Sequence, residues 1–180
     1  MDKRIQFTKI RDVKSPARAN LNDAGMDFFI PYYNEQFLTD LKEKNTKNSI
    51  SYKVIQDEIG DEILEITLSP HAQINIPSGI KVNIFDKDTF LLAQNKSGVA
   101  TKYRLVVGAC VVDADYQGEV HLNMINTSDE EVVLRSGQKI VQFIHLPYIK
   151  SEMEEITNEQ YDAIQVSDRG TGGFGKSGEK

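Results

Sequence analysis

The feature that most limits the fold is the rhythm of the chain between Ile74 and Ile144. Short segments rich in valine, isoleucine and leucine recur there: Ile74–Pro77, Ile80–Phe85, Phe90–Ala93, Leu105–Val107, Val111–Val112, Val120–Ile125, Val132–Leu134 and Ile140–Ile144. Turn formers separate them at Gly79, Asp86–Asp88, Gly118, Asn126–Asp129 and Gly137. β-Branched residues in short runs between turn signals read as strands, and strands this closely spaced pair antiparallel in a barrel or double sheet. Strands do not alternate with helices, which argues against a doubly wound sheet. The chain is therefore expected to be all-β.

Two segments break the rhythm. In residues 34–45, Asn34 can cap a helix, Glu35 sits in its first turn, and Phe37, Leu38 and Leu41 share one face. Tyr52–Ile55 and Ile63–Leu68 then read as two strands joined across an acidic turn. Residues 33–65 are thus expected to form a partly helical insertion carried on the barrel, on its surface. Near the end, Thr157–Ile164 is a short helical candidate. The expected organisation is one β domain over residues 1–166 and a flexible, glycine-rich arm over 167–180.

Charge and cysteine content narrow the partners. With 180 residues and a net charge of −6, the chain has the size for one good core and the wrong sign for bulk nucleic acid. A small phosphorylated ligand stays compatible, because local donors and a divalent cation can overcome an unfavourable overall field. No apolar run approaches the roughly 20 residues needed to span a membrane. The start, Met1-Asp-Lys-Arg-Ile-Gln-Phe, has no signal-peptide apolar region. Cys110 is the only cysteine, so no intrachain disulfide forms. A cytoplasmic protein, in a host cytoplasm if viral, and not a secreted one is expected.

Five constellations carry chemistry. In Val111-Val-Asp-Ala-Asp-Tyr-Gln-Gly-Glu-Val120, two apolar residues lead into Asp113. A carboxylate at the end of a buried strand is held rigidly enough to act as a general base. In Gln94-Asn-Lys-Ser-Gly-Val-Ala-Thr-Lys102, Ser97 and Gly98 open a short helix with Lys96 beside them, a workable phosphate cradle. Asn22-Asp-Ala-Gly-Met-Asp27 leads into a strand, and Asp27 could hold a hydrated Mg²⁺. In Gly137-Gln-Lys-Ile-Val-Gln142, a turn enters a strand that carries Gln142. The tail Asp168-Arg-Gly-Thr-Gly-Gly-Phe-Gly-Lys-Ser-Gly178 holds five of the twelve glycines, with one aromatic, two cations and two hydroxyls. It cannot build a core, but its backbone N–H groups can wrap an anion. Taken singly, each segment also has an ordinary reading as a turn, a cap or a flexible end.

In this order and spacing, the five segments resemble the five motifs of the trimeric deoxyuridine triphosphatase (dUTP diphosphatase, dUTPase) family. The resemblance covers nearly the whole chain except residues 33–65. It implies a homotrimer of jelly-roll-like β-barrel subunits that hydrolyses dUTP to dUMP and pyrophosphate with Mg²⁺. It further implies that Asp113 activates the water attacking the α-phosphate. Tyr116 would pack under the deoxyribose and exclude a 2′-hydroxyl, and the hairpin of Gly108, Ala109, Cys110, Val111 and Val112 would read uracil through its backbone. Lys96, Ser97, Gly98 and Gln142 would contact the phosphates, and Asp27 would act on the metal through water. From the tail, which would close a neighbouring subunit's site, Arg169 would bind the γ-phosphate. Phe174 would cover uracil, and Gly175, Lys176 and Ser177 would close on the phosphates.

The chain departs from the family pattern where Lys96 stands for an arginine, Asn95 for a proline, Cys110 for a glycine and Lys176 for a hydroxyl residue. None of these removes the catalytic group. His71, His121 and His145 are not spaced as a metal site. The related dCTP deaminases share the fold but need a glutamate-centred site, and Glu119 is poorly placed for that. A regulatory protein that binds a partner through residues 33–65 is a third reading and does not exclude the first.

Overall fold

The structure, a computed structural model, describes residues 3–164 and Gly170. The chain divides into two compact units, Met1–Ile149 and Lys150–Lys180. The first contains eleven strands among the described residues. These are β1 (Ile5–Lys9), β2 (Met26–Phe29), β3 (Ile50–Gln56), β4 (Glu62–Leu68), β5 (Gln73–Ile84) and β6 (Thr89–Asn95). β7 (Leu105–Val107), β8 (Val111–Asp113), β9 (Glu119–Asn126), β10 (Val132–Arg135) and β11 (Lys139–Pro147) follow. Two helices interrupt them, α1 (Glu35–Lys44) and α2 (Ser97–Tyr103).

The strands form three sheets, ordered β1-β5-β9-β7, β10-β4-β3 and β2-β11-β6-β8, and neighbouring strands run antiparallel in all three. Strands that are distant in sequence lie side by side, as in a jelly roll, and each sheet keeps its two edges, so no single closed barrel forms among the described residues. One core serves all three sheets. It includes Phe28, Leu64, Ile66, Ile74, Ile76, Leu91, Leu122, Leu134 and Phe143, each 2% exposed or less. Alternation sets the inward face: in β4, Leu64, Ile66 and Leu68 are fully buried while Glu62 is exposed.

Residues 33–65 have the expected helix and hairpin, but they are bound into the core more firmly than a surface appendage. Asn34 Oδ1 accepts the Phe37 N–H at 2.8 Å and caps α1, whose Phe37 and Leu41 are completely buried. The Asn45 side chain continues the attachment. Its Nδ2 donates to the carbonyls of Leu41 and Asn75, and its Oδ1 accepts the Asn75 N–H at 2.8 Å. Arg11 ties the outer side of α1 to the sheet, reaching Asp40 at 2.6 Å and Glu119 at 2.8 Å. β4, where the expected insertion ends, is the central strand of its sheet and pairs with both β3 and β10.

In the second unit, α3 (Asn158–Asp162) forms where the sequence places a helix. Thr157 caps it reciprocally: its side chain accepts from Gln160 N, and the Gln160 side chain accepts from Thr157 N.

Candidate active site

The register of one sheet gathers three of the five constellations. Asp27 of β2 lies opposite Gln142 of β11, which lies opposite Gln94 of β6. Cross-strand partners share a face, so Asp27, Gln142 and Gln94 form one row, and Lys96 follows immediately beyond β6. At the centre is Asp27, 5% exposed. Its Oδ1 pairs with Lys96 Nζ, and its Oδ2 with Lys139 Nζ at 3.0 Å. Burial works to raise the Asp27 pKa, but the two ammonium groups outweigh it and hold the carboxyl below its ordinary value. Gln142 Nε2 donates to the Asn95 carbonyl at 2.8 Å.

α2 begins at this row. Lys96 is its N-cap, in extended conformation, and makes no side-chain capping bond, because an ammonium has no acceptor to offer the first N–H groups; it pairs with Asp27 instead. Gly98, in the first turn, has open space where a Cβ would stand. Asn95, which departs from the family pattern, serves the local backbone. Its Oδ1 accepts the Val107 N–H at 2.7 Å and fixes β7 beside the end of β6.

The second cluster is a cleft of about 190 Å³ lined by Ala109, Cys110, Val111, Val112, Asp113, Tyr116, Val120, His121 and Phe143. It collects Ala109, Cys110, Val111 and Val112 of the hairpin singled out from sequence, and Gly108 precedes them in the chain. A Cβ on Gly108 would run into Asn123 Oδ1, so only glycine lets the hairpin lie this close to β9. The Gly108 N–H donates to the Asn123 carbonyl at 3.1 Å, and Ala93 N donates to the Cys110 carbonyl at 2.7 Å. The Cys110 sulfur lies 3.7 Å from the Gly108 carbonyl, folded back on its own hairpin.

Asp113 ends β8, as expected, but β8 is an exposed edge strand and not a buried one: Val111 is 60% exposed and Asp113 is exposed. The reason is that β8 pairs on one side only, with β6. The loop after it is held in place: Tyr116 N donates to the Asp113 carbonyl at 3.1 Å, and Lys87 Nζ reaches the Ala114 carbonyl and the Asp115 carboxylate. Tyr116 is 44% exposed, and its hydroxyl donates to the Glu119 carbonyl at 3.0 Å. A Cβ on Gly118 would collide with the Tyr116 ring, so glycine also fixes where that ring lies.

Asp113 stands apart from the row. Asp113 pairs with Phe90 and Gln142 with Gln94, two strands and four residues away. That is about 10 Å across the ladder and about 13 Å along it. The structure thus joins Asp27, Lys96 and Gln142, and separately joins Ala109–Asp113 with Tyr116. Arg169, Phe174, Gly175, Lys176 and Ser177 lie outside the described residues.

His121, Val120 and Phe143 complete the cleft and were not singled out from sequence as part of it. The Nδ1 of His121 lies 2.8 Å from the Glu119 carbonyl, so this nitrogen carries the proton, and the buried Nε2 has no partner among the described residues. Lys139 was also missed as the second cation on Asp27. Glu119 is already committed: its carboxylate accepts from Arg11 and from the Gly79 N–H. That occupancy disfavours a deaminase glutamate. No group of three or more His, Cys, Asp or Glu among the described residues could hold a metal ion. No described helix is long and apolar enough to cross a membrane.

Comparison with known proteins decides the family. The dUTPase family model matches residues 63–178. The chain belongs to the dUTPase family. Among curated members it resembles the deoxyuridine 5′-triphosphate nucleotidohydrolase of Klebsiella pneumoniae strain 342, 32% identical over 117 residues, covering 64% of this chain and 74% of that one. Identity and coverage are the same for the Shewanella baltica OS155 enzyme of that name. Among solved structures, a dUTPase of Staphylococcus bacteriophage 80alpha with dUpNHpp superposes with a TM-score of 0.68 at 20% identity, over 98% of this chain and 99% of that one. The EIAV dUTPase superposes with a TM-score of 0.58 at 18% identity, over 86% of this chain and 98% of that one. This member of the dUTPase family is therefore placed by sequence from residue 63 onward. Asp27 and α1 precede the matched residues, and the likeness there is one of fold.

Proposed function

We propose that this chain hydrolyses dUTP to dUMP and pyrophosphate, and that it does so as a homotrimer with sites shared between subunits. The observation that carries the reading is the separation of Asp113 from the Gln142 row within a family member. A general base must come within hydrogen-bond reach of its water, at about 2.6–3.2 Å or through one further water. Asp113 and the Gln142 row of one chain do not converge in that way. Bringing the hairpin cleft of one subunit against the row of another supplies the missing half.

In this arrangement the hairpin Gly108–Val112 presents backbone donors and acceptors to uracil, and Tyr116, braced on the Glu119 carbonyl, packs under the deoxyribose. Asp113, exposed at its strand end, takes the proton of the attacking water. Lys96, Ser97, Gly98 and Gln142 hold the phosphates. Arg169, Phe174, Gly175, Lys176 and Ser177 come from the arm of a neighbouring subunit. Fixed positive charge at developing negative charge is the main source of acceleration in phosphoryl chemistry.

Mg²⁺ fits the row in one manner only. The ion keeps most of its waters and binds through one or two carboxylates together with substrate phosphates. Asp27 is the one buried carboxylate of the row, and both its oxygens already accept from ammonium groups. It therefore suits an ion that arrives with the nucleotide and is held through water, and such an ion would supply charge neutralisation of the triphosphate. Lys96, paired with Asp27 in this structure, would then be available to turn to the phosphates.

The test is pyrophosphate release from dUTP, dCTP, dTTP and UTP, with and without Mg²⁺, alongside the mass of the assembly in solution. Fast turnover of dUTP alone by a trimer is expected. Equal rates on all four nucleotides, or full activity in a monomer, would sink the reading.

A further inference from the structure

A second cavity, of about 310 Å³, also reaches Asp27 and is lined by Lys14, Ala17, Arg18, Ala19, Asp27, Phe29, Gly137 and Lys139. Three of these residues are cations and one is a carboxylate. That carboxylate is already matched by Lys96 and Lys139. Neither Lys14 nor Arg18 forms an ion pair among the described residues. In a chain with a net charge of −6, this is a local concentration of positive charge without its counter-charge.

The cations are also held in place. The Lys14 ammonium lies 5.7 Å from the Phe29 ring centre and 5.9 Å from that of Tyr32, within cation–π reach of both. Arg18 Nε donates to the Asp23 carbonyl at 2.8 Å, which orients the guanidinium and leaves its terminal nitrogens as donors. Lys139 spends one donor on Asp27, and its side chain is about half exposed. With three cations and a single aromatic residue, Phe29, in the lining, the cavity favours a compact anion over a nucleoside. The volume equals about ten waters of the liquid, enough for a pyrophosphate and part of its hydration.

We propose that this cavity is a second anion site, contiguous with the phosphate row through Asp27 and Lys139, that takes inorganic pyrophosphate. It rests on the reading that pyrophosphate is a product of this protein. It adds Lys14 and Arg18 as the groups that receive the leaving anion beyond the row.

Calorimetric titration of the full chain with inorganic pyrophosphate, and separately with inorganic phosphate and sulfate, reads the site without turnover. Pyrophosphate is expected to bind at least tenfold tighter than sulfate. The Lys14→Met, Arg18→Gln double variant is expected to lose at least tenfold of that affinity. Both side chains are exposed, so the variant should fold, which its circular dichroism would show. In kinetics, pyrophosphate inhibition should weaken by a similar factor while the KM for dUTP stays within twofold. Equal pyrophosphate affinity in the two proteins, absence of pyrophosphate binding, or a dUTP KM that rises in step with the pyrophosphate constant would each overturn the proposal. No dUTP turnover, with pyrophosphate binding lost in the variant, would overturn the product role and the reaction assigned above while leaving an anion site in place.

Discussion

The Asp27 row and the hairpin cleft are built in opposite ways, and under the proposed function they would recognise the nucleotide differently. The row works through charged side chains: one buried carboxylate, two ammonium groups on it, and a glutamine locked to a carbonyl. The cleft works through the backbone, with small residues at Gly108 and Ala109, an exposed carboxylate at Asp113, and glycines that let Asn123 and Tyr116 come close. Charge can be read by long side chains that reorient. The edge of a base has to be read by atoms that do not move, and under the proposed function a hairpin pressed on β9 would provide them. Substitutions in the two places should therefore divide among rate, affinity and stability in different proportions.

The largest effect is expected at Asp113. Asp113→Asn should lower turnover of dUTP by about 10²–10⁴-fold, the usual range for a lost general base, with binding of a non-hydrolysable dUTP analogue changed only a few-fold. Retained turnover would move the base elsewhere in the cleft. Next is the row: Lys96→Met should lower kcat/KM by about 10²-fold, and Lys96→Arg should restore much of it, measured by pyrophosphate release.

Asp27→Asn tests the row as a structural element. Removing a buried partner of two lysines should cost about 2 kcal/mol in denaturant unfolding at neutral pH. The sign of the pH dependence follows from the depressed pKa. The stabilisation is fully present above the ordinary carboxylate value of about 3.9 and is lost as the pH falls through the lower folded-state value. The variant should therefore lose less stability on acidification than the parent. A parallel pH profile for the two proteins would contradict the assigned pairing.

On the cleft side, Gly108→Ala should force the hairpin off Asn123, costing about 1–3 kcal/mol as an overpacked contact and raising the KM for dUTP more than it lowers kcat. The smallest effect is expected for Tyr116→Phe, which keeps the ring and loses one hydrogen bond of about 1 kcal/mol. If the ring supplies the rejection of UTP, as proposed, that rejection should survive. Loss of that discrimination would shift the role to the hydroxyl.

Much of this was legible in the sequence because it is local. Runs of valine, isoleucine and leucine bounded by turn formers marked β4, β9 and β11; Asn34 and Thr157 announced their helices; and the hairpin residues lie within a few positions of one another, so they had to line one cleft together. What stayed hidden depends on distant register and on side-chain direction. Lys139 reaches Asp27 only because β2 and β11 pair with a register shift between Lys139 and Val141. His121 and Phe143 enter the cleft from β9 and β11, which no local pattern connects to β8. Residues 33–65 read as an appendage because hydropathy shows the two buried residues of α1 but not the Asn45 and Arg11 bonds that weld it to the sheet. Deleting the segment would thus test the core before it tested any partner.

The distance between Asp113 and Gln142 along one sheet has a genetic consequence. If no single subunit owns a whole site, two different dead proteins can repair one another. Asp113→Asn subunits co-assembled with Lys96→Met subunits would include some sites built from two unaltered halves, and the mixture would regain activity that neither parent has alone.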